Sequence, residues 1–234
     1  MPPKTNKHIL APCYNPITNQ CLEIGIDEAG RGPMFGRLYV SAVILPKDDS
    51  FDHSKMKDSK KFTSEKKIKE AAEYIKENAV AWAVHYIDEN TIDEINIRQS
   101  VLKCMHMCVD TIISKKPAEQ LGHSSYFLLV DGNDFKPYIR ESDLSYVPYK
   151  CITGGDNKYT SIAAASILAK VTRDEYIREL CVEFPYLDEY YGLTSNKGYG
   201  TKTHMDGINT YGISKWHRRT YGLCSQVGFC KPPI

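Results

Sequence analysis

Residues 25–36 read GIDEAGRGPMFG. In this stretch the adjacent carboxylates Asp27 and Glu28 end an apolar run, and the flexible corner Gly30-Arg31-Gly32 follows at once. Adjacent acids repel each other, so a chain that places them where a strand ends usually neutralises them with a bound cation. The corner suits a phosphate, because bare glycine backbone lets an anion approach closely and a guanidinium can fork onto its oxygens. Together the two features indicate phosphoryl chemistry on a nucleotide or nucleic acid.

The residues on either side of the corner favour two strands. Residues 22–27 and 38–45 are rich in aliphatic and β-branched side chains, as buried strands usually are. A strand–corner–strand opening predicts an antiparallel pair, whereas a dinucleotide-binding site needs a helix directly after its glycines. Gly30, Gly32 and Gly36 therefore do not make a dinucleotide fingerprint.

Further along the chain, strand patterns alternate with helix patterns. An apolar stripe at helical spacing predicts a helix over 64–77, and the stretch from 158 onward predicts a helix whose first half, through Ala169, is buried. The other predicted elements are strands over 81–87, 125–133 and 146–152, helices over about 91–114 and 201–211, and a loop over 190–200. Helices on a mixed sheet place the chain in the α/β class.

The composition limits the classes of protein to which the chain can belong. Its 234 residues, 42% hydrophobic and 25% charged, suffice for one domain with a full core, or for one large and one small domain. No apolar run approaches the roughly 18 residues of a membrane span. The first residues lack the apolar region of a secretory signal, so we expect a cytoplasmic protein.

Charges and cysteines add two further expectations. Because the net charge is only +1, any nucleic acid must be bound by a local basic patch. Basic residues do cluster in 55–69 and in 215–219, although a lysine run is as often a solvated helix face. The eight cysteines contain no CxxC pair, so we expect reduced thiols, with Cys104 and Cys108 as buried apolar groups and not zinc ligands.

A two-metal nuclease site needs three or four rigidly held carboxylates that bring two Mg²⁺ ions within about 3.5–4 Å. The candidates are Asp27, Glu28, Asp131 and Asp156, each of which follows or borders an apolar segment. Taken singly, each also fits a simpler role. Asp27 and Glu28 could start a solvated loop, Asp131 could belong to an Asp-Gly turn, and Asp156 could cap the following helix.

Several blocks of sequence together resemble one family. They are GIDEAGRGP (25–33), DSKKFT (58–63), LLVDGN (128–133), GDNKYTSIAAASILAKVTRD (155–174), KGYGTKTH (197–204) and HRRT (217–220). In this order and spacing the chain resembles the type 2 ribonucleases H, the bacterial-style ribonuclease HII group. The resemblance implies a ribonuclease H-like fold, a mixed five-stranded sheet flanked by helices. It also implies hydrolysis, dependent on two Mg²⁺ or Mn²⁺ ions, of RNA paired with DNA, and incision 5′ of a single ribonucleotide in duplex DNA, leaving 3′-hydroxyl and 5′-phosphate ends.

The resemblance also assigns roles to residues. It makes Asp27, Glu28, Asp131 and Asp156 the catalytic, metal-binding acids. Its implied substrate contacts are the 2′-hydroxyl reader Gly30-Arg31-Gly32, the sugar neighbour Tyr199, and the phosphate contacts Lys60 and Lys158, with Arg31 as a further one. For His204 and His217 we expect structural or phosphate-binding roles, with proton transfer as the alternative.

The chain departs from the family pattern at three places. Arg37 stands where the family usually has proline, Gly154 stands where a lysine often precedes the Gly-Asp pair, and little sequence follows HRRT. These departures leave the four acids in place but bear on substrate affinity.

Three rival interpretations remain. They are a type 3 ribonuclease H, which needs runs of ribonucleotides, a nucleic-acid-binding protein without catalysis, and a DNA nuclease or transposase of the same fold. We expect residues 1–20 to be a tail or strap, 21–222 the catalytic domain and 223–234 a short tail. The expected partners are RNA–DNA hybrid and ribonucleotide-containing duplex DNA. We expect no membrane, a monomer, and no sliding-clamp partner, because no glutamine-plus-aromatic clamp-binding motif is seen.

Overall fold

A computed structural model describes residues 9–14, 21–115, 125–140 and 143–230. Within these ranges a mixed five-stranded sheet is flanked by helices, as expected. Its strands are β1 (Cys21–Ala29), β2 (Leu38–Ile44), β3 (Ala81–Ile87), β4 (Ser125–Asp131) and, after two short strands, β7 (Tyr149–Ile152). Their order across the sheet is β3-β2-β1-β4-β7. The short strands β5 (Tyr138–Ile139) and β6 (Tyr146–Val147) form a separate antiparallel pair.

The helices of the described ranges lie largely where the sequence predicts them. They are α1 (Glu65–Asn78), α2 (Glu89–Lys115, with a break at Asn96), α3 (Thr160–Glu183), α4 (Tyr186–Tyr191), α5 (Leu193–Asn196) and α6 (Lys202–Tyr211). The loop predicted over 190–200 is partly wrong, because α4 ends and α5 forms inside it. Gly192, with a φ of 65°, ends α4, and the Asp188 carboxylate accepts the Thr194 N–H at 2.7 Å, which nucleates α5.

Contacts between residues divide the chain into two compact units. The first contains the described residues within 1–27, 42–83 and 109–167. There β1 pairs in parallel with β4, and β4 pairs in parallel with β7. The first half of α3 is buried, as predicted, because its small and aliphatic side chains leave no polar face. Its Ile162 packs in one cluster with Leu129 and Ile152.

The second unit contains the described residues within 28–41, 84–108 and 168–234. Its core is aromatic and aliphatic, with Phe35, Ile177, Tyr191 and Ile208 fully buried. The Tyr191 hydroxyl donates to the Gly212 carbonyl at 2.9 Å, which satisfies the one polar atom of this large side chain.

Two end segments contact the rest of their own units. Ala11 pairs with Tyr159, and its N–H donates to the Lys158 carbonyl at 2.8 Å. Near the other end, Phe229 pairs with Ile213. Much of the predicted strap over 1–20 lies outside the described residues, so the three predicted segment boundaries stay predictions. In the described part of the chain, no helix is both long and apolar enough to cross a membrane.

Candidate active site

The register of the sheet brings two of the predicted acids side by side. The pairing of β1 with β4 runs up to Ile26 opposite Val130. One further step in this register sets Asp27 opposite Asp131, and neighbouring strands lie about 4.8 Å apart. Because the strands are parallel, both carboxylates leave the sheet at the same edge, on the same face. This is how two acids more than a hundred residues apart in sequence become neighbours.

A short turn places the third acid next to them. The Gly155 N–H donates to Asp131 Oδ1 at 2.6 Å, and Asp156 follows in a single 3₁₀ turn before α3. A Cβ at Gly155 would lie 2.5 Å from Ile162 Cδ1, so a larger residue here would displace the end of that side chain. The structure therefore ties Asp131 to the turn that carries Asp156.

The surroundings of Asp156 show that negative charge accumulates here. Burial raises the pKa of Asp156, and the carboxylates of Asp58 and Asp131 raise it further, whereas a hydrogen bond from Asn157 and the charge of Lys60 lower it. Asp58 is itself buried. A site with this excess of negative charge is stabilised by a cation.

The donor set can be compared with what a divalent ion requires. Hard carboxylate oxygens on neighbouring rigid elements are the ligands that Mg²⁺ and Mn²⁺ take. As placed, no three His, Cys, Asp or Glu side chains of the described residues converge closely enough to hold an ion. In chemistry and charge the carboxylates of the first unit nevertheless suit such an ion, and Asp27, Asp131 and Asp156 are the residues that would hold it. The metal-binding role of Glu28 stays a prediction.

Glu28 begins the second unit, where it lies near the glycine corner. Arg31 Nη1 is 3.7 Å from Glu28 Oε1, and the Arg31 side chain is about half exposed, at 53%. The ion pair is therefore weak and leaves the guanidinium open to solvent on one side.

Arg218 holds the glycine corner from inside the protein. Its side chain is fully buried, and its guanidinium donates to the carbonyl oxygens of Gly30 at 2.6 Å, Arg31 at 3.2 Å and Gly36 at 2.9 Å. Burial lowers the pKa of Arg218. Of the basic residues that cluster in 215–219, His217 and Arg218 are therefore not part of a surface patch, since both are buried. Apart from its place in the HRRT block, nothing in the local sequence distinguishes this arginine from a surface one.

A second buried arginine, Arg173, packs against Gly30. A Cβ on Gly30 would lie 2.7 Å from Arg173 Cδ, and the residue has a φ of 95°, so two constraints require glycine. Arg173 donates to the carbonyl oxygens of Phe35 at 3.1 Å and Lys197 at 2.9 Å. One side chain thus links the corner to the loop that carries Tyr199.

Tyr199 lies against the corner. Its ring is half exposed, and a Cβ on Gly32 would lie 3.8 Å from its Cε1 atom. The structure therefore brings Gly32 and Tyr199 together, as two substrate contacts on one surface would require. Their roles toward a substrate stay predictions.

Two buried histidines form a chain of hydrogen bonds that ends at the Tyr199 carbonyl. The Ser214 N–H donates to His217 Nδ1 at 3.0 Å, which leaves the proton of neutral His217 on Nε2. That proton points to His204 Nε2 at 3.0 Å, and His204 Nδ1 in turn donates to the Tyr199 carbonyl at 3.0 Å. Both rings are buried, so the chain of bonds has a structural role, the first of the two roles expected.

The predicted phosphate contacts and lysine cluster have mixed outcomes. Lys60 and Lys158 are exposed, and Lys158 Nζ donates to the Thr153 carbonyl at 2.9 Å. On α1, Lys66 and Lys69 form long ion pairs with glutamates one turn away, at 3.9 and 3.8 Å, so this part of the cluster is a solvated helix face.

Cys104 and Cys108 are free and buried, which confirms them as apolar core groups.

Comparison with known proteins decides the family. The family model described as Ribonuclease HII matches residues 24–224. The chain belongs to the ribonuclease HII family. It is therefore a ribonuclease H, a metal-dependent endonuclease of the hydrolase class.

Individual relatives agree with this assignment. Ribonuclease HII of Parabacteroides distasonis is 42% identical over 202 residues, which cover 86% of this chain and 90% of that protein. Ribonuclease HII of Phocaeicola vulgatus is also 42% identical, over 88% of this chain and 92% of its own length. Among solved structures, ribonuclease HII from the PCNA complex of Archaeoglobus fulgidus has a TM-score of 0.63 at 25% identity, covering 86% of this chain and 96% of that one.

A more distant structure shares the fold alone. Ribonuclease HIII of the Bst type, solved in complex with Mn²⁺, has a TM-score of 0.55 at 17% identity, and the match covers 81% of this chain and 70% of that one.

Proposed function

We propose that this ribonuclease HII hydrolyses the RNA strand of RNA–DNA hybrids and incises duplex DNA on the 5′ side of a single embedded ribonucleotide. The products are 3′-hydroxyl and 5′-phosphate ends. The observation that carries the proposal is the placement of Asp27 and Asp131 at one sheet edge, with the Asp131-bonded turn of Asp156 beside them. The family assignment supplies the reaction class.

In this proposal the acids bind divalent cations, Mg²⁺ or Mn²⁺. Two such ions, when bound, supply an activated water and stabilise the leaving oxygen. The protein contributes the positions of the ligands: Asp27 and Asp131 stand on neighbouring strands, Glu28 follows Asp27, and Asp156 is fixed by the turn that bonds to Asp131. Rigid supports matter because a small misplacement of a ligand costs much of the rate.

The glycine corner is proposed to recognise the ribose. Arg218 occupies the carbonyl oxygens of Gly30 and Arg31, which fixes the orientation of both peptide groups. A fixed main chain without a Cβ can approach a 2′-hydroxyl, the group that distinguishes RNA from DNA at a single nucleotide. Tyr199, beside Gly32, would then lie against the following sugar.

Exposed cations are proposed to hold the phosphates. Lys60, Lys158 and the open side of Arg31 offer charge-assisted bonds that position the duplex without reading its bases. Because the net charge is only +1, these local contacts must supply most of the electrostatic affinity. We further propose that the protein acts as a cytoplasmic monomer without a sliding-clamp partner, although its Archaeoglobus relative forms a complex with PCNA.

The test is a panel of labelled duplexes incubated with Mg²⁺ or Mn²⁺, with and without a chelator. The panel contains one ribonucleotide in DNA, four consecutive ribonucleotides in DNA, a full RNA–DNA hybrid and an all-DNA duplex. We expect cleavage of the first three, a cut 5′ of the single ribonucleotide, and loss of all cleavage with chelator.

Other outcomes of the panel favour the rivals. Cleavage of the four-ribonucleotide duplex but not of the single one would indicate type 3 behaviour. Cleavage of the all-DNA duplex would indicate a DNA nuclease. Binding without cleavage in either metal would indicate a protein that has lost catalysis.

A further inference from the structure

Asp58, Asn157 and Asp156 form a hydrogen-bonded group, the carboxylate clasp, within the first unit. Asn157 Nδ2 donates to Asp156 Oδ1 at 3.0 Å and to Asp58 Oδ2 at 3.1 Å. The Lys61 ammonium donates to Asn157 Oδ1. Because carboxylates only accept and an ammonium only donates, these three partners fix which way the amide faces. Every polar group of Asn157's side chain is thereby used.

Asp58 connects the clasp to the segment that carries the phosphate-binding candidate. Its Oδ1 accepts the Lys60 N–H at 2.8 Å and caps the 3₁₀ turn of residues 59–61. The next residue, Ser59, is hydrogen-bonded to Ser166 on α3 at 3.0 Å. Although burial acts to raise the pKa of Asp58, bonds from the Lys60 N–H and Asn157 and the charges of Lys60 and Lys61 lower it. Asp58 is therefore an ionised scaffold group whose oxygens already serve two donors.

We propose that Asn157 is a positioning residue, which orients Asp156 toward the divalent cations and couples it through Asp58 to the turn that carries Lys60. The inference rests on the proposed function. The argument is geometric: two carboxylates repel each other, and a doubly donating amide between them holds both at hydrogen-bonding distance. Partners that orient a ligand in this way typically contribute about 10–100-fold in metal affinity or activity.

The first test replaces Asn157 by leucine, which has nearly the same shape and no donor. Asn78→Leu is the matched control, since the exposed Asn78 only donates to the Tyr74 carbonyl at the end of α1. Binding of Mn²⁺ alone is measured by calorimetry on the nucleic-acid-free protein, and circular dichroism checks the fold. We expect Asn157→Leu to weaken Mn²⁺ binding about 10–100-fold and to lower kcat on a one-ribonucleotide duplex similarly, with little change in KM. Asn78→Leu should match the wild type in both.

The second test asks whether Asp58 and Asn157 act as one unit. Asp58→Asn keeps an oxygen to cap the Lys60 N–H but removes the charge. If the two residues act as one unit, the variant that carries both Asp58→Asn and Asn157→Leu should have Mn²⁺ affinity and kcat within about twofold of those of Asn157→Leu alone. The reason is that Asn157→Leu already breaks the same connection.

The possible failures can be told apart. If Asn157→Leu binds Mn²⁺ and cuts as the wild type does, or if the two losses multiply, the clasp is overturned while the proposed function stands. If the wild type itself neither binds Mn²⁺ nor cuts the duplex, the proposed function fails and the clasp fails with it.

Discussion

Gly25 lies where β1 passes directly against the backbone of α3. A Cβ at this position would lie 2.5 Å from Ile162 N and 2.5 Å from Ser161 O, closer than real Cβ atoms come to neighbouring atoms. Both neighbours are main-chain atoms of a buried helix, so neither can move aside cheaply. The first glycine of GIDEAGRGP is thus required by packing two residues before the acids, and not by a flexible turn.

We predict that Gly25→Ala lowers the free energy of unfolding by about 2–3 kcal/mol, because the extra methyl must push the strand and helix apart. The control is Gly228→Ala, since a Cβ there meets nothing within 4 Å, and its effect should stay within about 0.5 kcal/mol. Urea unfolding of both variants measures the difference. Equal stabilities of the two variants would show that the contact between β1 and α3 is looser than described.

At the scale of elements, the two histidines join α6 to the segment that precedes Arg218. His204 lies in the first turn of α6, and His217 stands one residue before the arginine that holds the corner. The bonds run in one direction only, from the Ser214 N–H through both rings to the Tyr199 carbonyl. A proton added to His204 would face the Nε2–H of His217 at 3.0 Å, and a proton added to His217 would face the Ser214 N–H, also at 3.0 Å. The arrangement therefore requires both rings to be neutral.

This requirement makes stability depend on pH. Burial lowers the pKa of His217 to about 3, with a smaller contribution from His204, and burial also lowers the pKa of His204. An unfolded histidine has a pKa near 6.5, so between about pH 3 and 6.5 the unfolded chain binds a proton that the folded chain excludes. The contribution of the neutral histidines to the free energy of unfolding is fully present above about pH 6.5 and is lost as the pH falls. At pH 5 the loss from His217 alone is about 2 kcal/mol.

We predict that His217→Gln flattens this dependence. A glutamine can accept from Ser214 and donate to His204 without titrating, so its stability should fall less between pH 7 and pH 5 than that of the wild type. Urea unfolding at a series of pH values measures the two slopes. The same slope in both proteins would mean that His217 is not the group that excludes the proton.

At the scale of the whole molecule, the low net charge means that binding of a duplex must depend on local charged groups. The net charge of +1 gives no broad attractive field for a duplex. Negative charge is concentrated around Asp156, where Asp58 and Asp131 raise its pKa after burial. Bound cations would neutralise this negative charge, so the site should need them before it can act on a phosphate.

The sequence predicts the sheet and most helices, and it shows that each of the four acids follows or borders an apolar segment. Asp27 and Asp131 each end an apolar run, and one further step in the parallel register of β1 and β4 sets the two residues opposite each other. The buried arginines could not be predicted in the same way, because Arg173 and Arg218 find partners only among carbonyl groups distant in sequence. Asn157 was missed for a similar reason, since its two carboxylate partners lie 1 and 99 residues away. Burial of a polar group depends on tertiary contacts that no local pattern encodes.

The most direct test of the central claim, that the acids at the sheet edge jointly bind the catalytic cations, is the activity of Asp131→Asn. The amide keeps the shape and can still accept from Gly155, but it supplies no charge for a cation. With Mg²⁺ and a labelled one-ribonucleotide duplex, we predict a fall in kcat of at least about 100-fold, with the thermal midpoint and duplex affinity nearly unchanged. Full activity of Asp131→Asn would remove this residue from the site and contradict the account.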